Sequence, residues 1–392
     1  MYVELTDEQQ ALQDEIRTYF QELLTPEVRA ELHGGGGIGP AMRKVVKQMG
    51  KDRWLGVGWP TEYGGRGMTP AEQFIFFDEA TRAGAPVPML TMNTVGPTIM
   101  NFGTQEQRDF FLPRIMNGEI HFCIGYSEPD AGTDLAALKT RAVRDGDEYV
   151  INGQKLWTSL ASDADYCWLA ARTDPDAQRH RGISMIIVDM KNTPGITVRP
   201  LNLMASHNVT TVFFEDVRVP AANLVGEEHA GWKLITNQLN HERVTLVSSG
   251  SIGRYLLMVR EWAQQTKRPD GSRVIDSEWV RMSLARLHAR WEALRLMNWE
   301  VASTATEGSL KPQDASAMKV FGTEFNLECI RGLMDIVGQA GYLAGDTAGS
   351  ILQGQLEQAA RSMLILTYGG GTNEMQRDLI AMFGLGFPRA AR

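Results

Sequence analysis

The chain has 392 residues, enough for two or three sub-structures around a sizeable core, and its 43% hydrophobic and 22% charged composition excludes wholesale disorder. Lysine and arginine number 39 against 47 acids, and the resulting net charge of −8 argues against nucleic-acid binding. It leaves room for an anionic small ligand in a locally basic pocket.

In chain order, Thr6 and Gln9 have the spacing of a capping box, and Leu12, Ile16, Tyr19 and Leu23 follow at helical intervals. Thr69-Pro70-Ala71-Glu72 repeats the signal, with Phe74 and Phe77 on the inward face. Thr104 to Gln107 opens a third helix, which meets Pro113. Gly34 to Gly37 and Leu55 to Gly65 read as loops. From His121 to about Val219 the period drops towards two, with Asp145-Gly146 and Asn152-Gly153 as turn dipeptides around Tyr149-Val150-Ile151. Tyr166 to Ala170, Gly182 to Val188 and Val209 to Phe214 are short β-rich runs whose spacing suits an antiparallel barrel or sandwich. After Gly231 the helical period returns, and it predicts long helices over Trp232 to Trp262, Ser277 to Val301, Gln313 to Val337 and Ile351 to Thr367. The expected fold class is α+β, divided as a helical part over 1–120, a β part over 121–230 and a helical bundle over 231–392.

Several chemistries lack their motifs. Cys123, Cys167 and Cys329 are too scattered for a disulfide framework or a thiolate metal site and read as buried small hydrophobes, and the seven histidines form no metal motif. No glycine-rich dinucleotide fingerprint, serine elbow or phosphate-cradling lysine loop is present. The acidic start Met1 to Glu8 lacks a basic leader, and no apolar run is long enough to span a bilayer, so a cytoplasmic protein is expected.

Four runs carry positive signals. Gly125 to Asp134 places Ser127, Thr133 and several backbone amides in a turn-forming stretch that could bind a carbonyl-rich or anionic ligand, or could be a plain solvated turn. Asn152 to Ser159 sets Trp157 between hydroxyls; it could stack on a flat ring, or be a core tryptophan of a strand. Asn240-His241-Glu242-Arg243 lies in the first long helix of the C-terminal part. At helical spacing Glu242 shares a face with Leu239, Leu246, Ser249 and Gly253, which is apolar or small. A carboxylate on such a face is desolvated, as a general base near neutral pH requires, or is satisfied by a buried partner. Tyr368 to Arg377 follows a helix with three glycines, which lets backbone approach a ligand or simply ends the helix.

Together these runs resemble the acyl-CoA dehydrogenase family, over nearly the whole chain. Tyr126 to Asp134 is similar to its Ser/Thr-Glu-Pro-x-x-Gly-Ser/Thr-Asp signature, Asn152 to Ser159 to its Gly-x-Lys-x-Trp strand, and Gly371-Thr372 with Arg377 to its C-terminal Gly-Thr motif. The resemblance implies an N-terminal helical domain, a β-barrel-like middle and a C-terminal four-helix bundle. It also implies FAD and an acyl-CoA thioester. Ser127, Thr133, Trp157, Ser159, Thr372 and Glu374 would hold the cofactor. Arg243 would contact the CoA portion, Asn240 would be a further substrate-binding residue, and the Gly370 amide, with a ribityl hydroxyl, would bind the thioester oxygen. The acceptor would be an electron-transferring flavoprotein.

The departures from the family pattern are informative. Most members carry the catalytic glutamate where this chain has Gly370, whereas a minority resembling isovaleryl- and long-chain acyl-CoA dehydrogenases place it in a Glu-Arg pair, which Glu242-Arg243 matches. The space at Gly370 suits a branched or bulky acyl group. Lys267-Arg268-Pro269-Asp270-Gly271 lacks the Phe-Gly that members lend to a neighbour's FAD, and Asp335 replaces the first glutamine of the Gln-x-x-Gly-Gly-x-Gly run. A carboxylate beside a pyrophosphate is electrostatically unfavourable. The eroded contacts point to an α2β2 heterotetramer with a homologous subunit, as in similar actinobacterial enzymes of steroid side-chain degradation, with a homotetramer as the alternative. An acyl-CoA oxidase and a non-catalytic or scaffold subunit are the rival functions.

Overall fold

The computed structural model describes residues 4–34, 38–205, 209–236, 238, 247–306 and 311–388. Helices α1 (Asp7–Leu23), α2 (Pro26–Gly34), α3 (Pro40–Lys51), α4 (Pro70–Ala83), α5 (Gly96–Phe102) and α6 (Gln105–Met116) precede the strands. The capping boxes at Thr6, Thr69 and Thr104 form as their spacing predicts. Helix α6 runs through Pro113 rather than stopping there.

Among the described residues eight strands follow: β1 (Phe122–Gly125), β2 (Arg141–Asp145), β3 (Glu148–Ser159), β4 (Tyr166–Arg172), β5 (Ile183–Asp189), β6 (Ile196–Leu201), β7 (Val209–Pro220) and β8 (Leu224–Val225). They form one sheet in the order β6-β7-β3-β2-β4-β5-β8, with β1 beside β4. Most pairs are antiparallel, as expected, but β1–β4 and the short β2–β4 contact are parallel. The central strands are buried on both faces. Trp168 and Ala170 of β4 and Met185 and Ile187 of β5 join a core with Phe76, Phe111 and Leu112 of the helices. Their neighbours Cys167, Leu169, Ile186 and Val188 pack with Tyr149, Ile151 and Phe214 on the other face. This alternation is the two-residue period of a strand put to two uses.

Asp145–Gly146 makes the expected hairpin turn, with Gly146 at φ +60° and Asp145 opposite Glu148. Asn152–Gly153 does not turn. It lies inside β3, where Asn152 exchanges hydrogen bonds of 3.0 Å with the Asp216 amide and carboxylate of β7 across an irregularity in the ladder. Asp216 itself adopts φ +49°.

At the entry to β1 the His121 amide donates to Asp165, 2.8 Å away, which also pairs with Arg43 and Lys191. The His121 ring is buried with neither nitrogen bonded among the described residues. Burial, helped by the Arg43 charge, pushes its pKa down to about 4.

Helical residues 231–236 (α7) open the C-terminal part. Then come α8 (Ser249–Gln265), α9 (Glu278–Thr306), α10 (Pro312–Val337), α11 (Gln355–Ser362) and α12 (Asn373–Leu379). The helix expected from Trp232 to Trp262 is broken: Ser248 is extended (φ −60°, ψ 134°) and caps α8 through the Gly250 amide. The break follows from local bonding. Buried Asp78 of α4 accepts from both the Ser248 and Ser249 hydroxyls, and Asn298 accepts the Ser249 amide. At Gly250 the two helices approach so closely that a Cβ would stand 2.1 Å from the Asp78 carbonyl oxygen. The helix expected from Ile351 to Thr367 is also divided, because Leu352 and Gln353 take left-handed φ values of +54° and +55° before α11 begins.

Candidate functional site

The Gly125–Asp134 turn is built on a buried ion pair. Glu128, 7% exposed, accepts the Lys139 amide at 2.6 Å and the Thr140 amide at 2.8 Å, and Lys155 Nζ at 2.8 Å. Lys155 is fully buried and also donates to the Tyr126 carbonyl at 3.1 Å. Burial pushes the Glu128 carboxyl up, but the Lys155 charge and these hydrogen bonds outweigh it and hold the group below its ordinary value. Burial pushes the Lys155 ammonium down, opposed by Glu128. The pair fixes the turn to β3, and the Leu156 amide donates to the Ser127 carbonyl at 2.8 Å. Ser127 is thereby set beside Leu156 and Trp157. Thr133 lies farther along the turn and is exposed.

Trp157 owes its direction to a bulge. Along β3, Tyr149, Ile151 and Lys155 point inward, and strict alternation would put Trp157 inward too. Between Lys155 and Thr158 the strand carries one residue more than β7 opposite, which accommodates the excess with Trp157 at φ +63°. Thr158 becomes the buried residue, while Trp157 is 56% exposed. A left-handed, non-glycine residue costs roughly 1–3 kcal/mol and persists only where the surroundings impose it. The reading of Trp157 as a core side chain is therefore set aside. Ser159 is half-buried at the end of the strand, opposite Val209.

The C-terminal turn is held by a second buried lysine. Lys319 of α10, fully buried, donates to the Thr367 carbonyl at 3.1 Å, the Gly371 carbonyl at 2.8 Å and Asn373 Oδ1 at 2.7 Å. Gly370 and Gly371 take φ +68° and +97°, which glycine tolerates and a glutamate at Gly370 would not do freely. Thr372 is the N-cap of α12 and accepts the Met375 amide at 3.3 Å; Glu374 is exposed in its first turn. This part of the chain is tied back to the sheet region, because Arg361 donates to the Met204 carbonyl at 2.7 Å and Ser362 to that of Ala205 at 2.9 Å. Asn240, Glu242 and Arg243 lie outside the described residues, as do Leu239 and Leu246. Ser249 and Gly253 are buried, beyond the break at Ser248. Asp335 is exposed near the end of α10.

The residues present fit FAD. A flat ring platform, Trp157, stands out of the sheet, and the Ser127 and Ser159 hydroxyls beside it have no hydrogen-bond partner among the described residues. That is the chemistry a heterocycle with polar edges requires. Sequence reasoning passed over Lys319, whose charge gave no sign of burial, and Gln238, a buried polar residue in an apolar-looking helix start. Lys155 was legible only as part of a motif.

Comparison with known proteins gives one pattern. The models for the N-terminal, middle and C-terminal domains of acyl-CoA dehydrogenase match residues 6–119, 123–217 and 229–385. The chain is 55% identical to acyl-CoA dehydrogenase FadE26 of Mycobacterium tuberculosis, over 100% of both chains. Among solved structures, the ChsE4-ChsE5 complex of Mycobacterium tuberculosis contains a chain 55% identical, with TM-score 0.92 and 100% of each chain covered. A steroid ACAD, Tcur3481-Tcur3483, matches at 46% identity and TM-score 0.93, again over 100% of both chains. Among the described residues no helix is long and apolar enough to cross a membrane.

Proposed function

Because the chain belongs to the acyl-CoA dehydrogenase family, we propose that it carries out FAD-dependent α,β-dehydrogenation of an acyl-CoA thioester, with Glu242 as the base. The observation that carries this reading is Trp157, turned out of the sheet on strained backbone beside two hydroxyls without partners among the described residues. Ser127, Thr133, Trp157, Ser159, Thr372 and Glu374 are the residues proposed to hold FAD. FAD, when bound, supplies the acceptor for the hydride that leaves the substrate β-carbon.

The protein's own part is to take the α-proton and to stabilise the charge that develops on the thioester oxygen. No carboxylate stands at Gly370, so Glu242 is assigned the proton, and the Gly370 amide is assigned to the oxygen. Arg243 is assigned to the CoA portion and Asn240 to substrate binding. Likeness to a protein described as a steroid ACAD supports a bulky acyl group, and a steroid side chain is the proposed class. Both solved relatives are named for two chains, which with Asp335 supports an α2β2 assembly with a homologous subunit. The three parts, 1–120, 121–230 and 231–392, are proposed to fold as one unit in the cytoplasm and to pass electrons to an electron-transferring flavoprotein.

The test is anaerobic mixing of the flavin-loaded protein, alone and co-expressed with a homologous subunit, with straight, branched and steroid-side-chain CoA thioesters. The flavin absorbance is expected to bleach with the bulky substrates, and Glu242→Gln to slow bleaching by about a thousandfold with flavin retained. Undiminished bleaching in Glu242→Gln would remove the base assignment. A parent that binds flavin but bleaches with no thioester would mark a non-catalytic subunit, and peroxide as the product of turnover in air would mark an oxidase.

A further inference from the structure

A chain of buried polar side chains crosses from the sheet to the start of the C-terminal helices. Trp168 Nε1 of β4 donates to the Tyr126 hydroxyl at 3.2 Å, and that hydroxyl donates to Gln238 Oε1. Trp168 and Gln238 are fully buried and Tyr126 is 8% exposed. Apolar side chains of similar size would fill the same space without burying a carboxamide. The Gln238 Nε2 donor has no partner among the described residues, and an unmet buried donor typically costs about 1–3 kcal/mol. The arrangement is therefore poorly explained as a device for stability alone.

Its position suggests another role. Tyr126 directly precedes Ser127, in the turn proposed to meet the flavin edge. Its carbonyl is fixed by Lys155 and its hydroxyl by Trp168, so the side chain is a rigid post. Gln238 precedes Glu242 by four positions in the sequence. An apolar contact lets a helix slide and rotate by fractions of an ångström, whereas a hydrogen bond fixes direction and distance together. Proton abstraction is sensitive on that scale, since a misplacement of about 1 Å can slow a reaction about a hundredfold.

Resting on the function proposed above, we infer that Tyr126 and Gln238 are positioning residues, a polar tether that holds Gln238, four positions before Glu242 in the sequence, against the flavin-contact turn. Neither residue is required to touch substrate or cofactor.

The test uses the flavin-loaded complex and three variants: Tyr126→Phe, Gln238→Leu and the double variant. Each single change is expected to lower kcat by about thirtyfold to a hundredfold, with KM and flavin content within about twofold of the parent. In the double variant no buried carboxamide is left without its tyrosine, and only the Trp168 indole lacks an acceptor, so the melting temperature rises above that of Tyr126→Phe while kcat stays low. Amide hydrogen exchange over residues 231–238 is expected to quicken about tenfold in all three, with or without flavin. Rates that fall and recover in step with melting temperature would show a merely structural pair and overturn the inference, as would unchanged exchange over 231–238. If the parent turns over no thioester, the functional reading fails, and exchange still decides whether the tether exists.

Discussion

Two turns carry residues proposed to hold the cofactor, and each is held by a lysine with no exposed surface, but the described partners of the two lysines differ. Lys155 meets a carboxylate, Glu128, inside the sheet region. The acceptors found for Lys319 in the helical region, two backbone carbonyls and an asparagine oxygen, are neutral. The first design joins two charges that depend on each other. The second brings a cation to two backbone carbonyls and a side-chain oxygen that stay neutral without it. Among the described partners, the difference concerns what remains when the lysine is lost: a buried anion in one case, unmet carbonyl groups in the other.

The largest effect is expected from Lys155→Met, which leaves Glu128 buried without its counter-charge. Loss of one partner of a buried pair typically costs about 3–5 kcal/mol. Denaturant unfolding should show it, and because Glu128 can escape by protonation, the deficit relative to the parent should shrink as the solution is made acidic. A pH-independent deficit would mean that the charge pair is not its source.

Acid should also separate the two regions. The pKa of His121 lies at about 4 in the folded chain against 6.5 for an ordinary histidine. The unfolded chain therefore takes up a proton first as pH falls, so stability is full above about 6.5 and declines until about 4. At about 1.4 kcal/mol per unit the decline amounts to roughly 3 kcal/mol. His121→Leu should flatten the stability profile across that window. An unchanged slope would place the acid sensitivity elsewhere.

The smallest of the three effects belongs to Lys319→Met. Unmet neutral acceptors cost about 2 kcal/mol in sum, since carbonyl groups at a turn can recruit water. The expected signature is a moderate loss of stability, measured in denaturant, together with weaker thioester binding through a loosened Gly370 turn. A loss as large as that of Lys155→Met would collapse the contrast between the two regions.

How much of this was readable in the residues follows from the range of the forces involved. The capping boxes at Thr6, Thr69 and Thr104 depend on residues three apart and were legible. So was the order of helices, strands and helices, which rests on period. Asn152–Gly153 was misread because its dipeptide chemistry suits a turn, while pairing with Asp216 on a strand far away in sequence makes it part of a ladder. The break at Ser248 was invisible for the same reason, being imposed by Asp78 and Asn298. Trp157 was legible as a candidate but not in its direction, since a bulge depends on the count of residues in the opposite strand. The burial of Lys155 and Lys319 is likewise a property of partners and not of the lysines.

The bulge at Trp157 has one further consequence. It acts on the strand as an inserted letter acts on a reading frame: every residue before it keeps one parity and every residue after it takes the other. The earlier irregularity at Asn152, where β7 carries the extra residue, offsets it, so the two strands part and rejoin in step. Between those two points the sheet holds a short out-of-frame passage. The ring platform belongs to that passage alone. The platform is thus set by residue count rather than by the tryptophan itself: a β3 shortened by Thr158 would continue in regular alternation from Lys155 and turn Trp157 inward.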